Sequence, residues 1–242
     1  MDLGIAGRVA LVTAASKGLG RASALALAQE GAKLVICARG EEALRETEAE
    51  LAAVTDVLAV VADVTDPAVP ASLANQAVER FGGLHILVAN AGGPPAGRSL
   101  DVSDEALSAA LNSNLLTSVR LVREAVPHMR AAHWGRIVLI TSDSIKKPIP
   151  TLSLSNTART GLWAWAKTAA ADLFPDGITL NTACPGLHAT DRIKQLNLAQ
   201  PGDPIGDPAD FGRVVTFLCS EPANYISGAA LLVDGGRFPG LF

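Results

Sequence analysis

The sequence predicts an α/β protein built on one doubly wound parallel sheet with helices on both faces, and three observations carry that prediction. Strand-length apolar runs alternate with longer helical stretches along the whole chain. Small-residue loops follow several of the runs where a strand would hand over to a helix. No composition shift or Pro/Ser-rich linker divides the 242 residues, and 49% hydrophobic content suffices for one buried core, so a single domain over 1–242 is expected.

The elements follow in order. RVALVT at 8–13 is a β-rich run that leads into a small-residue turn and a helix start. KLVICA at 33–38 and VLAVV at 57–61 are the next two strands, and Asp66-Pro67 opens the helix after the second. HILVA at 85–89 precedes a long run of helical apolar spacing that begins near Ser103 or Asp104. GRIVLIT at 135–141 leads to a second long helix from about Thr151, and ITLNTAC at 178–184 and AALLV at 229–233 complete the strands. Alternation of this kind makes the strands parallel, joined by right-handed helical crossovers that cover both faces of the sheet.

Composition excludes several function classes. A formal net charge of -4 leaves no basic excess to neutralise a phosphate backbone, so no nucleic-acid partner is expected. Apolar runs of strand length argue against a membrane span, and MDLGIAGRVALV lacks the basic region of a secretory signal. Cys37, Cys184 and Cys219 are odd in number and widely spaced within apolar segments, which suits buried thiols in a reducing cytoplasm and neither a disulfide framework nor a metal site.

Four loops stand where the carboxyl ends of parallel strands meet ligands. Gly18 and Gly20 at the start of the first helix let backbone approach a dinucleotide diphosphate, and the helix N-terminus offers free N–H groups. In ADVTD, Asp63 can accept from an adenine amino group and Val64 can bound the ring. VANAGG supplies a second close approach at Asn90, Ala91 and Gly92, and CPGLHAT a third with Pro185, Gly186 and Thr190. The acid that would hold the ribose hydroxyls of NAD after the second strand is missing, because VICARG ends in Ala38 and Arg39.

In these motifs the chain resembles the short-chain dehydrogenase/reductase family over essentially its whole length, in particular its 3-oxoacyl-carrier-protein reductase-like members. The family's Thr-Gly-x-x-x-Gly-x-Gly is matched by Thr13-Ala14-Ala15-Ser16-Lys17-Gly18-Leu19-Gly20, with Ala14 in place of the first glycine. Ala89-Asn90-Ala91-Gly92 matches Asn-Asn-Ala-Gly, and NYISGAALLVDGG follows the family's last strand. The resemblance implies a Rossmann fold, a small-molecule carbonyl or alcohol substrate, and a homo-oligomer, a tetramer, formed through the two long helices. It also implies that Lys17 and Arg39 hold the 2′-phosphate of NADP(H).

The same resemblance assigns the chemical end. The family's Asn falls on Asn114 and its Ser on Ser142, where a hydroxyl polarises the substrate carbonyl. The Tyr and Lys positions fall on Ser155 and Arg159, and the chain's one tyrosine, Tyr225, lies elsewhere. A serine hydroxyl is a much weaker and shorter-reaching acid than a phenol beside a cation, and Arg159 holds its proton. Other groups must then be weighed as donors: Asp143, Lys146, Lys147 and His188. The short Thr190–Pro208 segment suggests an open pocket. Three readings follow: an NADP(H)-dependent oxidoreductase with an altered proton relay, a nucleotide-binding protein without redox turnover, or an enzyme of this fold used for dehydration or cyclisation.

Overall fold

The computed structural model of the protein describes residues 1–241. Its seven strands are β1 Val9–Thr13, β2 Lys33–Ala38, β3 Val57–Val61, β4 Ile86–Ala89, β5 Gly135–Ile140, β6 Ile178–Pro185 and β7 Ala230–Val233. They form one sheet in the order β3-β2-β1-β4-β5-β6-β7, and every adjacent pair is parallel. The chain works outward from β1 to β3, then returns to the other side of β1 with β4. The reversal between β1 and β4 opens a crevice at the carboxyl ends of the strands.

Successive strand residues feed opposite layers. Ala10 and Val12 join Leu34, Ile36, Val88 and Val138 in a core closed by helices α1 (Gly18–Gln29) and α8 (Pro208–Leu218), through Leu27 and Phe211. Val9 and Leu11 join Val35, Leu87 and Leu139 in the opposite core, beneath α3 (Val69–Phe81), α5 (Thr117–Ala131) and α6 (Ser153–Leu173). Helix α2 spans Glu41–Ala52 and the short α7 spans Asp191–Leu196. Cys37, Cys184 and Cys219 are free and buried, and burial pushes the Cys219 thiol up to about 12. No helix among the described residues is long and apolar enough to cross a membrane.

The long helix expected after β4 begins at Asp104, with the Ser103 hydroxyl accepting from the Ala106 N–H at 3.2 Å. It is interrupted: α4 ends at Leu111, a wide turn of π type covers Asn112–Leu116, and α5 continues from Thr117. The other two helix starts move two residues downstream. The Asp66 carboxylate accepts from Ala68 N–H at 2.9 Å, making a side-chain turn ahead of Val69. The Thr151 carbonyl is taken by the Gly97 N–H at 2.8 Å, so α6 starts at Ser153.

The turn from β1 to α1 sets the backbone for the crevice. Ala14, standing where a glycine is expected, lies at φ +48°, in the left-handed region that costs an L side chain about 1 kcal/mol or more. The first helical turn packs so closely below it that a Cβ on Gly20 would come within 2.7 Å of Asn90 Nδ2. Ala14→Gly removes the strained Cβ, so we expect a gain of about 1 kcal/mol, a rise of roughly 2–4 °C in the melting midpoint for a chain of this length. A calorimetric melt showing no rise, or a fall, would refute the strain.

Candidate active site

The crevice is held by a reciprocal bond pair between its two walls. Thr13 Oγ1 donates to the Asn90 carbonyl at 2.7 Å and accepts from the Asn90 N–H at 2.9 Å, and Asn90 Nδ2 donates to the Ala14 carbonyl at 3.4 Å. Space opens around this latch. A Cβ on Gly92 would meet nothing within 4 Å, and one on Gly18, at φ +57°, only the Thr190 side chain at 3.6 Å. Lys17 caps α1 in an extended conformation with no side-chain bond to the helix, which leaves the first N–H groups facing the crevice. Ser16 is drawn to α2, its carbonyl accepting from Thr47 Oγ1 at 3.3 Å, and Leu19 packs against the core.

One end of the crevice is built on β2 and β3. Arg39 is 75% exposed at its side chain and stands 3.8 Å from the Asp63 carboxylate. Asp63 in turn accepts from the Thr65 N–H and hydroxyl at 3.0 and 2.8 Å. Those bonds, with Arg39 adding to them, hold its carboxyl below the ordinary range. Val64 packs at the edge of the core beside it. Opposite, Gly186 N–H donates to the Val233 carbonyl at 3.0 Å, so Pro185-Gly186 is backed by the C-terminal segment.

The chemical side depends on α6. Ser153 and Gly97 tie the start of α6 to the loop after β4, Ser153 Oγ donating to the Gly97 carbonyl at 2.9 Å. Ser155 is buried two residues further on, and its hydroxyl has no protein partner among the described residues. Arg159, one turn beyond Ser155 and 7% exposed, sends Nη1 to the carbonyls of Ile140 and Thr141 at 2.8 and 3.0 Å and Nη2 to the carbonyl of Ala91 at 3.4 Å. Burial and the neighbouring Arg192 pull its pKa down to about 10, so it stays charged at neutral pH. Asn114 lies in the wide turn, 2% exposed, with Nδ2 donating to Ser113 Oγ at 2.8 Å and Oδ1 left without a partner. An added turn residue of this kind commonly marks a functional site.

Ser142 follows β5. Its hydroxyl accepts from the Ser144 N–H at 3.1 Å and donates to the Asp143 carboxylate at 3.1 Å. Burial outweighs that hydrogen bond and raises the Asp143 pKa. The other donors weighed from sequence fare differently. His188 is not a solvated loop residue: it is 4% exposed, packed edge-on against Phe211 with ring centroids 5.2 Å apart, and burial lowers its pKa. Its ring fills space against Gly206, which explains its burial. Lys146 stands 4.3 Å over the Trp163 ring, and Lys147 is exposed. Tyr225 is 87% exposed against Phe174, just beyond the far end of α6, and the helix from Ser155 to Leu173 spans about 27 Å.

One site residue escaped the sequence reading. Arg192 of α7 crosses the crevice and donates from Nη2 to the Pro94 carbonyl at 2.6 Å, lying over Gly93. The short segment after Thr190 therefore bridges the pocket at this point, where an open one was expected. Within DRIKQ nothing sets this arginine apart from its charged neighbours, and only the distance from Pro185-Gly186 could have drawn notice to it.

Comparison with known proteins agrees with this build. The family model described as Enoyl-(Acyl carrier protein) reductase matches residues 13–237. Dehydrogenase/reductase SDR family member 4 of Homo sapiens is 33% identical over 247 residues, covering 96% of this chain and 88% of that protein. Versicolorin reductase 1 of Aspergillus parasiticus is 33% identical over 96% of this chain and 97% of its own length. Among solved structures, L-sorbose reductase from Gluconobacter frateurii complexed with NADPH and L-sorbose superposes with a TM-score of 0.94 at 32% identity, over 100% of both chains. With a crevice at the strand reversal, glycine loops on both of its walls and matches along nearly the whole length, the chain belongs to the short-chain dehydrogenase/reductase family.

Proposed function

We propose that the protein is an NADP(H)-dependent reductase of a small carbonyl compound, working without the phenol that the family resemblance leads one to expect. The observation that carries this reading is the crevice itself. Gly18 and Gly92 leave room that a side chain would fill, uncapped N–H groups open the first helix, and Asn114 Oδ1 is a buried acceptor in want of a donor. In this reading Thr13, Ser16, Lys17, Gly18, Leu19 and Gly20 cradle the diphosphate, and Lys17 and Arg39 take the 2′-phosphate. Asp63 and Val64 border the adenine, and Asn90, Ala91, Gly92, Pro185, Gly186 and Thr190 line the path to the nicotinamide. The NADPH bound in the sorbose reductase supports the same choice of cofactor.

When bound, NADPH supplies a hydride to the carbonyl carbon. The chain must supply the proton for the oxygen, and Ser155 is too weak an acid for that task. Ser142 is better prepared. Its hydroxyl accepts from the Ser144 N–H and donates to the Asp143 carboxylate; once Asp143 is protonated that second bond reverses, Asp143 donating, and the Ser142 O–H is freed to point at a substrate oxygen. As that proton leaves, the protonated Asp143 carboxyl replaces it. Arg237 lowers and Asp234 raises the Asp143 pKa from the C-terminal segment, His188 and Lys146 lie nearby, and burial prevails. Buried Ser155 and Arg159 then shape the pocket.

The outer face of α6 exposes Thr157, Thr160, Ala164, Thr168 and Ala171, flanked by Lys167 and Asp172, beside an exposed Leu116. Small residues along one helix face permit close approach of a second copy, and self-association to a tetramer through this face belongs to the same reading.

Three measurements test it. NADPH should bind about tenfold or more tightly than NADH in a calorimetric titration, and Arg39→Ala should remove most of that preference, since a charge-assisted phosphate contact is worth roughly 1.5–3 kcal/mol. Equal affinities would remove the case for NADP(H), while tight NADPH binding without turnover on a broad carbonyl panel would favour nucleotide binding alone, the reading that the missing phenol supports. For the proton route, reduction needs Asp143 protonated, so kcat/KM should fall as pH rises through its raised pKa, and Asp143→Asn should flatten that limb. A limb that stays in the variant assigns the proton elsewhere. Light scattering should give four times the 24.9 kDa chain mass, and a monomer at micromolar concentration would end the tetramer proposal.

A further inference from the structure

Arg159 carries a positive charge into a place that offers it no negative one. Its three hydrogen bonds end on backbone carbonyls, which satisfy N–H groups and do not neutralise charge. No ion pair joins Arg159 or Arg192 to a carboxylate among the described residues. The charge that Arg159 feels most is another guanidinium, that of Arg192. Both heads fasten to one stretch of loop, Arg159 to the Ala91 carbonyl and Arg192 to that of Pro94. Two cations drawn together in partial or complete burial, without a counter-ion, are a costly arrangement that a bound anion would relieve.

We infer that Arg159 and Arg192 form an anion subsite for a carboxylate on the substrate, so that the compound reduced is a short oxo acid. This rests on the reductase reading above and narrows it. A guanidinium has five N–H donors, and Arg159 spends three of them, which leaves two for a carboxylate in the paired geometry that arginine favours. The length of the substrate follows from position. Arg159 is anchored on Ile140 and Thr141, the two residues that lead into Ser142. An anion held there lies close to a carbonyl polarised by Ser142, which selects acids whose oxo group is next to the carboxylate or one carbon beyond it. Arg192, on the far wall, completes the clamp by exchanging the Pro94 carbonyl for a carboxylate oxygen.

The same chemistry could be met by the cofactor's diphosphate, and the experiment separates the two sources. Pyruvate and acetoacetate are compared with their methyl esters, which keep the carbonyl and remove the charge, in the unaltered protein and in Arg192→Gln. Each acid is also titrated by calorimetry onto the protein saturated with NADP⁺, a reading that needs no turnover. The subsite predicts that at least one acid exceeds its ester by about tenfold or more in kcat/KM and in affinity, and that Arg192→Gln collapses both ratios with NADPH affinity unchanged. An acid that binds in preference to its ester without being reduced keeps the subsite and sinks the reductase reading. If neither acid binds or reacts better than its ester, the proposal is overturned. It is equally overturned if Arg192→Gln weakens NADPH about tenfold and leaves the acid-to-ester ratios alone, which assigns the anion to the cofactor. Arg159→Gln, if it folds, should repeat the Arg192→Gln result.

Discussion

The Thr13–Asn90 bond pair is the constraint on which the site depends. β1 and β4 are neighbours in the sheet, but the loops that leave them run to opposite sides because the strand order reverses there. Without a tie, two loops diverging from adjacent strands would be free to spread. The threonine hydroxyl acts as donor and acceptor toward one residue, fixing both backbone groups of Asn90, and the Asn90 side chain then reaches the Ala14 carbonyl. The left-handed turn at Ala14 and the close seat of Gly20 both abut this contact. The glycine loops are therefore held open by a polar bond at the bottom of the crevice, and the apolar layers on either side of the sheet keep that bond from water.

A second dependence runs through α6. Its first turn is fastened to the loop after β4 by Ser153, and Arg159 joins the same loop to the end of β5. A residue that the sequence suggests as a substitute for a lysine thus also acts as a brace between three segments. A lysine, with a single ammonium group, could not reach three carbonyls on two strand ends in this way. Structural bracing and a net positive charge come from the same guanidinium, which is why the site can be firm and electrostatically unfinished together.

The strands were legible in the sequence because a parallel sheet buried on both faces demands unbroken apolar runs, and KLVICA or GRIVLI admits little else. Helix starts were less legible. Asp66 and Thr151 spend polar groups on turns ahead of their helices, a local competition that periodicity does not register. The wide turn at Asn112–Leu116 was hidden because its residues keep helical spacing on either side. The glycine loops could be located from motifs, and their backbone is open at Gly18 and Gly92, whereas the burial of His188 and the reach of Arg192 could not be read from the chain. The burial of His188 depends on Phe211, and the reach of Arg192 depends on Pro94; both partners are remote in the chain.

The wide turn also affects how the long helix serves two neighbours. One residue beyond the α repeat rotates everything after it by about 100° about the helix axis. Helix α4 can thereby lie against α6 while α5 turns its apolar side to α3 and the sheet, which a continuous α-helix from Asp104 to Ala131 would not do with this sequence. Phase is thus stored at a single place. Loss of one residue anywhere between Asn112 and Leu116 would bring the two halves into step and turn Asn114 out of its buried position, whereas a loss in an exposed loop would be absorbed locally. In a set of homologous chains, the length of this helix should be kept more strictly than the identity of the residues along it.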